Sequence, residues 1–141
     1  MRKILFALLA VVSTTSCAEI YEYKIIRVID GDTVEFEAKF LPAPLKPSLS
    51  LRIHGVDSPE KGSRAKCEKE KVLGDAATEF TKQFIAGAKS IRVELLNWDK
   101  FGGRVLGDII ADDQSLRSSL IVNGYAREYF GKSRKSWCIS E

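Results

Sequence analysis

Apolar and charged side chains alternate over residues 33–40, which is typical of a β-strand with one buried face. Residues 21–29, just before them, are also rich in apolar side chains. The Asp-Gly pair at 30–31 lies between the two stretches and predicts a β-hairpin. Three prolines within residues 41–50 predict an exposed loop, because proline cannot donate to a strand ladder. Residues 49–54 then predict a third strand.

The hydrophobic period changes over residues 70–88, where apolar side chains recur at every fourth position. This spacing places them on one face of a helix. Gly74 lies inside the helix and should weaken it by roughly 1 kcal/mol relative to alanine. The apolar stripe consists of Val72, Ala76, Phe80, Phe84 and Ala88, with Leu73 and Ala77 beside them.

Two further strands and a second helix are predicted in the second half of the chain. Apolar alternation predicts strands at residues 90–96 and 105–110. A helix over residues 113–123 would be capped by its first residue, an aspartate, and ended by Gly124. Residues 125–130 predict a short extended segment or a loop.

The order of these elements is three strands, a helix, two strands and a helix. Five strands with a helix between the third and the fourth form a small Greek-key barrel of the oligonucleotide/oligosaccharide-binding (OB) type. We therefore predict an α+β fold that is mainly β, a five-stranded OB-fold-type Greek-key barrel with two helices. A length of 141 residues fits one such domain.

The net charge of the whole chain decides little about its partners. The formal charge is +3, but two of the 22 basic residues lie at positions 2 and 3; without them 20 basic residues face 19 acidic ones. This balance neither favours nor excludes a nucleic-acid partner. Locally, residues 117–135 contain five basic side chains and one acidic side chain, so this segment is basic.

Residues 1–18 have the composition of a secretory signal peptide. Two basic residues precede an apolar run at 4–12, which is too short to span a membrane, and small residues favour cleavage after Ala18. We expect an exported protein, secreted or periplasmic, whose mature domain covers residues 19–141. Two alternatives are a buried core helix and a lipoprotein acylated at Cys17. Against the second, Thr14 stands where an aliphatic residue is expected.

Cleavage at that point would leave two cysteines, Cys67 and Cys138. An even number of cysteines in a small exported domain predicts a disulfide. Its loop of about 70 residues would contribute roughly 4 kcal/mol in the chain-entropy model. The alternative is a pair of unrelated buried thiols.

Acidic side chains and arginines cluster near the predicted strand ends. Asp32 follows the first strand, Asp57 and Glu60 follow the third, and Arg52 and Arg104 lie within or beside strands. Carboxylates without histidine or cysteine neighbours suit a hard cation such as Ca²⁺. Two guanidinium groups beside such a cation suit a phosphodiester, because their fork matches the phosphate oxygens.

Three motifs in this order resemble the staphylococcal nuclease (thermonuclease) family. They are Val28-Ile-Asp-Gly-Asp-Thr-Val34, Leu51-Arg-Ile-His-Gly-Val-Asp-Ser-Pro-Glu60 and Asp99-Lys-Phe-Gly-Gly-Arg104. The resemblance extends over about residues 21–130. It departs at the third motif, where two glycines rather than one precede the arginine, and at the C-terminus, which stops soon after Cys138.

The resemblance implies a role for each matching residue. Ca²⁺ would be bound by Asp32, Asp57 and the backbone carbonyl of Ser58. Glu60 would lie close to the metal and act as the base. The two arginines that contact the scissile phosphate would be Arg52 and Arg104.

The resemblance also implies weaker substrate contacts. A lysine and a tyrosine of the family hold a terminal phosphate where this chain has Lys100 and Phe101, so the hydroxyl is missing here. Tyr125 and Tyr129 are candidates for base stacking, with core packing as the alternative. His54, the sole histidine, is expected to be structural.

The expected function is therefore Ca²⁺-dependent endonuclease activity on DNA and RNA, leaving 3′-phosphates, by a protein that acts as a monomer. The main alternative is an OB-fold module that binds nucleic acid and has lost activity. Such a module would be expected to lack the acidic or arginine positions, which this chain retains. A structural or inhibitory surface protein is a third alternative, and it would leave the clustered charges unexplained.

Overall fold

The computed structural model describes residues 19–139. The expected signal peptide, with Cys17, lies outside the described residues. Two α-helices, nine strands and a 3-10 helix at Gly62–Arg64 make up the described part. The strands are β1 Glu19–Tyr21, β2 Ile25–Asp30, β3 Thr33–Glu37, β4 Ser48–Ile53, β5 Val56–Asp57, β6 Ile91–Trp98, β7 Arg104–Ala111, β8 Gln114–Ser115 and β9 Arg127–Glu128; the helices are α1 Glu68–Ala86 and α2 Leu116–Val122.

Seven of the strands form one sheet in the order β1-β6-β7-β4-β3-β2, with β8 paired to β7. The pairs are antiparallel except for β4 and β7, which are parallel. The hydrogen-bonded path does not close, but its end strands β1 and β2 are joined directly by residues 22–24. The predicted α+β, mainly β class is confirmed, and the five longer strands lie where the sequence predicts them. The predicted first strand is divided into β1 and β2.

The core lies between this sheet and the two helices. Its largest fully buried side chains include Phe36, Leu51, Ile53 and Ile109. The predicted alternation in β3 is broken at Glu35, which is buried because Arg27, Lys46 and Ser48 all bond its carboxylate. Ion pairing therefore lets a charged side chain occupy a position that the pattern assigns to solvent.

The buried face of α1 differs from the predicted stripe. Val72 and Ala76 are exposed, whereas Ala77 and Thr81 are buried. The hydroxyl of Thr81 donates to the carbonyl oxygen of Gly31 at 2.7 Å, which ties the helix to the β2–β3 turn. The stripe prediction is wrong at Val72 and Ala76, because the helix turns the side that carries Ala77 and Thr81 towards the β2–β3 turn.

The second helix begins later than the sequence predicts. Asp113 does not cap it but lies in the β7–β8 turn with a φ of 64°. The cap is Ser115, whose hydroxyl oxygen accepts from the amide of Ser118 at 3.1 Å. Gly124, with a φ of 74°, follows the helix end as predicted. Neither helix of the described chain is long and apolar enough to cross a membrane.

Candidate active site

A cleft of about 930 Å³ opens where the β2–β3 turn, the segment after β4, the β6–β7 turn and the C-terminal segment meet. Three of the predicted site residues, Arg52, Glu60 and Arg104, line it together. The parallel pairing of β4 with β7 explains the meeting of the two arginines, because it sets Ser50 beside Arg104 and Arg52 beside Leu106. Residues far apart in sequence thus face one space.

Asp32 is buried and contacts Arg52, one of the residues that line the cleft. Its carboxylate accepts hydrogen bonds from the Thr33 hydroxyl at 3.0 Å, the Ser58 amide at 3.1 Å and the Arg52 guanidinium at 3.1 Å. Burial nevertheless raises the pKa of Asp32 to about 6; Arg52 opposes this shift and the neighbouring Asp30 adds to it. The bonds within the protein therefore do not fully compensate the buried charge.

Arg52 connects the two buried aspartates. Its second guanidinium nitrogen lies 3.9 Å from Asp57 Oδ1 and donates to the Val56 carbonyl at 3.3 Å. Asp57 Oδ2 accepts from the indole nitrogen of Trp137 at 3.4 Å. Asp57 Oδ1 is buried and accepts no well-aligned hydrogen bond within residues 19–139, but Arg134 Nε lies 3.1 Å from it. Arg52 is thus fixed in place between the two aspartates, and Asp57 is paired with a second arginine, Arg134.

Glu60 lies between two arginines. Its carboxylate is 3.3 Å from Arg64 Nε and 3.5 Å from Arg134 Nη1. Its backbone amide donates to the buried carboxylate of Glu70 at 3.4 Å. Behind it, a Cβ on Gly74 would overlap the Glu60 carbonyl, so α1 approaches this backbone more closely than any other residue would permit. The glycine that weakens the helix therefore fits the helix against the site.

Arg104 begins β7, directly after the two-glycine turn. Gly103 has a φ of 75°, and its carbonyl accepts from the Ser50 amide at 3.2 Å, which docks the turn onto β4. The guanidinium pairs with Asp99 and lies 4.8 Å from the Phe101 ring centroid. The extra glycine accordingly leaves Arg104 on the cleft wall.

The four predicted substrate-binding residues are divided between two places. Lys100, Phe101 and Tyr129 line the cleft. Tyr125 is not among the lining residues; its ring stacks on Phe80 at 4.6 Å and packs against the core. For Tyr125 the geometry favours the packing alternative. His54 also lines the cleft, edge-on to a neighbouring ring.

Two observations bear on whether a hard cation fits this site. The raised pKa of Asp32 indicates a buried carboxylate whose charge the protein does not fully compensate, whereas Asp57 Oδ1 is faced by Arg134 Nε at 3.1 Å. No group of three or more His, Cys, Asp or Glu side chains with the proximity of a metal site occurs in residues 19–139. Two carboxylates and the Ser58 carbonyl, the set that the resemblance implies, remain suitable in chemistry for Ca²⁺.

The predicted cysteine pair is joined in the structure. Cys67 and Cys138 form a disulfide with Cα atoms 5.9 Å apart, across 71 positions of sequence. Cys67 is also the N-cap of α1, where its sulfur accepts from the Glu70 amide. The bond thus brings the C-terminal segment to the helix end beside the site.

Sequence reasoning missed Arg64, Arg134 and Trp137 as parts of the site. Arg64 pairs with Glu60 and with Asp30, the latter at 2.8 Å. Arg134 and the indole nitrogen of Trp137 both contact the Asp57 carboxylate. The basic composition of residues 117–135 and the paired cysteines were the available signals. Neither signal specifies which basic side chain reaches the carboxylates.

A family model described as staphylococcal nuclease homologue matches residues 50–138. The chain belongs to the staphylococcal nuclease family. Among curated relatives, the endonuclease YhcR of Bacillus subtilis (strain 168) is 31% identical over 115 residues, which cover 78% of this chain and 9% of the relative. An uncharacterized endonuclease of Escherichia coli is 30% identical over 97 residues, 69% of this chain and 52% of the relative. The probable endonuclease LCL3 of Yarrowia lipolytica is 29% identical over 91 residues, 62% of this chain and 38% of the relative. The chain therefore spans about half or less of the length of these relatives.

Proposed function

We propose that this member of the staphylococcal nuclease family is an exported, Ca²⁺-dependent endonuclease that hydrolyses DNA and RNA and leaves 3′-phosphates. The observation that carries the proposal is a single cleft lined by Arg52, Glu60 and Arg104, with the buried Asp32 and Asp57 both in contact with Arg52. The relatives with endonuclease names support the same class of reaction.

The two arginines supply charge for a phosphodiester. Arg52 is only 15% exposed and is held by Asp32, and Arg104 is held by Asp99 and Phe101. Fixed guanidinium groups stabilise charge that develops on the phosphate oxygens without having to reorganise during the reaction. Both would therefore act mainly on the transition state.

Glu60 is the base of the proposed reaction. A water oxygen attacks phosphorus, the bond from phosphorus to the 5′ oxygen breaks, and Glu60 accepts the proton of the water. The 5′ oxygen leaves and takes a proton from solvent, so the phosphate stays on the 3′ side. With 29% of its side chain exposed, Glu60 is accessible from the cleft.

Asp32, Asp57 and the Ser58 carbonyl would hold Ca²⁺. A bound cation offsets negative charge on the phosphate oxygens. Asp32 and Asp57 also position Arg52 between them.

Aromatic faces in the cleft suit a nucleic acid of either sugar. Phe101 is 56% exposed, and Tyr129 lines the same cleft. Bases of DNA and RNA stack on such rings without hydrogen-bond readout, which fits cleavage without sugar specificity.

The test is digestion of plasmid DNA and of RNA, with Ca²⁺ and with a chelator. We expect cleavage with Ca²⁺, no cleavage with chelator, and 3′-phosphate ends. Glu60→Gln and Arg104→Ala should each lower kcat by about 10²–10³. Lys132→Ala is the matched control, because Lys132 is an exposed cation of the C-terminal segment that does not line the cleft.

Each part of the proposal has its own contrary result. Undiminished cutting in excess chelator would remove the metal. If Arg104→Ala stays within about twofold of the parent, another basic residue supplies the second phosphate contact. Binding of nucleic acid without any cleavage would favour the inactive OB-fold module.

Export is supported by the composition of residues 1–18 and by the disulfide, which persists in oxidising compartments. Mass spectrometry of protein recovered from outside the cytoplasm should give an N-terminus at Glu19. A mature chain beginning at Cys17 with added lipid mass would instead assign it as a lipoprotein.

A further inference from the structure

The C-terminal segment brings one more guanidinium into the cleft. Arg134 Nε lies 3.1 Å from Asp57 Oδ1, and its Nη1 lies 3.5 Å from Glu60 Oε1. It therefore bridges one carboxylate proposed to bind the metal and the carboxylate proposed to act as base. Arg134 approaches the buried Asp57 oxygen more closely than Arg52 does, whose Nη2 lies 3.9 Å away.

The backbone around Arg134 is anchored on both sides. The Cys67–Cys138 disulfide and the Trp137 indole bond to Asp57 hold its C-terminal side. The Arg127 guanidinium lies 3.9 Å from the Trp137 ring centroid. On its N-terminal side, the Tyr129 amide donates to the Gly55 carbonyl at 3.0 Å. Any large movement of Arg134 must consequently occur in its side chain.

The side chain of Arg134 is more exposed than those of the two predicted catalytic arginines. It is 47% exposed, against 15% for Arg52 and 25% for Arg104. Its guanidinium lies 5.6 Å from the Tyr129 ring centroid, which offers a second place to rest within the cleft. Arg52 and Arg104 are more enclosed, and each pairs with an aspartate, Arg52 with Asp32 and Arg104 with Asp99.

We propose that Arg134 is a mobile counter-cation of the site, an inference that rests on the proposed function. In the free protein it neutralises Asp57 and Glu60. A cation held by Asp32 and Asp57 would compete with Arg134 for the Asp57 oxygen, and the freed guanidinium would then bind an oxygen of the phosphodiester. Arg134 thus keeps the carboxylates ordered before substrate arrives and contributes to substrate binding afterwards.

Arg134→Gln separates this role from simple structural support. Without the competing cation, Ca²⁺ measured by calorimetry in the absence of nucleic acid should bind about three- to tenfold more tightly, while KM for DNA should rise about tenfold. A residue that merely supported the fold would weaken both. Arg134→Lys keeps the charge and should return Ca²⁺ affinity to within about twofold of the parent.

The matched control is Lys135→Gln, which removes the same charge one position later. Lys135 makes no ion pair within residues 19–139, so Ca²⁺ affinity and KM should both stay within about twofold. Ca²⁺ affinity in Arg134→Gln that is unchanged or weaker overturns the inference, whereas the proposed function stands as long as the parent cuts DNA with Ca²⁺. A parent that neither binds Ca²⁺ nor cuts overturns both.

Discussion

Gly74→Ala should have two opposing effects, because alanine favours the helix while its Cβ would collide with the backbone of the site. In an isolated helix, replacing glycine by alanine would stabilise the helix by about 1 kcal/mol. In this structure the new Cβ would lie 2.5 Å from the carbonyl carbon of Glu60 and 2.9 Å from the amide nitrogen of Lys61. Carbon atoms attract at about 3.5–4.0 Å, so either α1 or the backbone at Glu60 must retreat by about 1 Å.

The expected consequence is a modest change in stability and a large change in activity. Overpacking of this kind costs about 1–3 kcal/mol, which cancels or exceeds the gain in propensity. A displacement of about 1 Å at a catalytic carboxylate can cost about 10² in rate. We therefore expect kcat on DNA with Ca²⁺ to fall about 10²-fold, while the free energy of unfolding falls by no more than about 2 kcal/mol.

Ala76→Gly is the matched control, because Ala76 is an exposed position of the same helix. It should lose about 1 kcal/mol of stability and keep the kcat of the parent. The reasoning is refuted if Gly74→Ala raises the unfolding temperature and leaves kcat within about twofold of the parent.

Three further predictions concern stability. Replacing Cys67 and Cys138 together by serine should lower the free energy of unfolding by about 4 kcal/mol, because the disulfide closes a loop across 71 positions; a loss below about 1 kcal/mol in guanidinium unfolding would contradict this. The pKa of Glu35 is lowered to about 2, chiefly by its hydrogen bond from Lys46, so the ionised carboxylate stabilises the fold above its ordinary pKa of 4.5 and this contribution is lost as the pH falls towards 2. In urea unfolding at a series of pH values, Glu35→Gln should therefore show a smaller loss of unfolding free energy between pH 4.5 and 2 than the parent, and an equal loss would contradict this. Burial raises the pKa of Asp32 from 3.8 to about 6, so its ionised carboxylate lowers the free energy of unfolding at pH 7. Without Ca²⁺, Asp32→Asn should be more stable than the parent at pH 7, and the difference should shrink below pH 4; a less stable variant at pH 7 would refute this.

The sequence by itself determined the fold class, the five longer strands, both helices and the family. Alternation and period are local properties, and a strand or helix with one buried face must display them. The three motifs identified Arg52, Glu60 and Arg104, which the structure brings to one cleft. The even pair of cysteines likewise predicted the disulfide, since a small exported domain gains stability from such a bond.

The tertiary structure alone decided which small surfaces touch and which charges pair. Val72 and Ala76 fit the helical stripe yet face solvent, because α1 presents its small side to the β2–β3 turn. Gly74 lowers the helix propensity of α1, but only glycine lets the helix lie this close to the backbone of Glu60. Arg134 reaches Asp57 and Glu60 only because the disulfide and Trp137 fold the C-terminal segment across the cleft. Such contacts depend on distances between segments far apart in sequence, and no local pattern of apolar and polar residues encodes those distances.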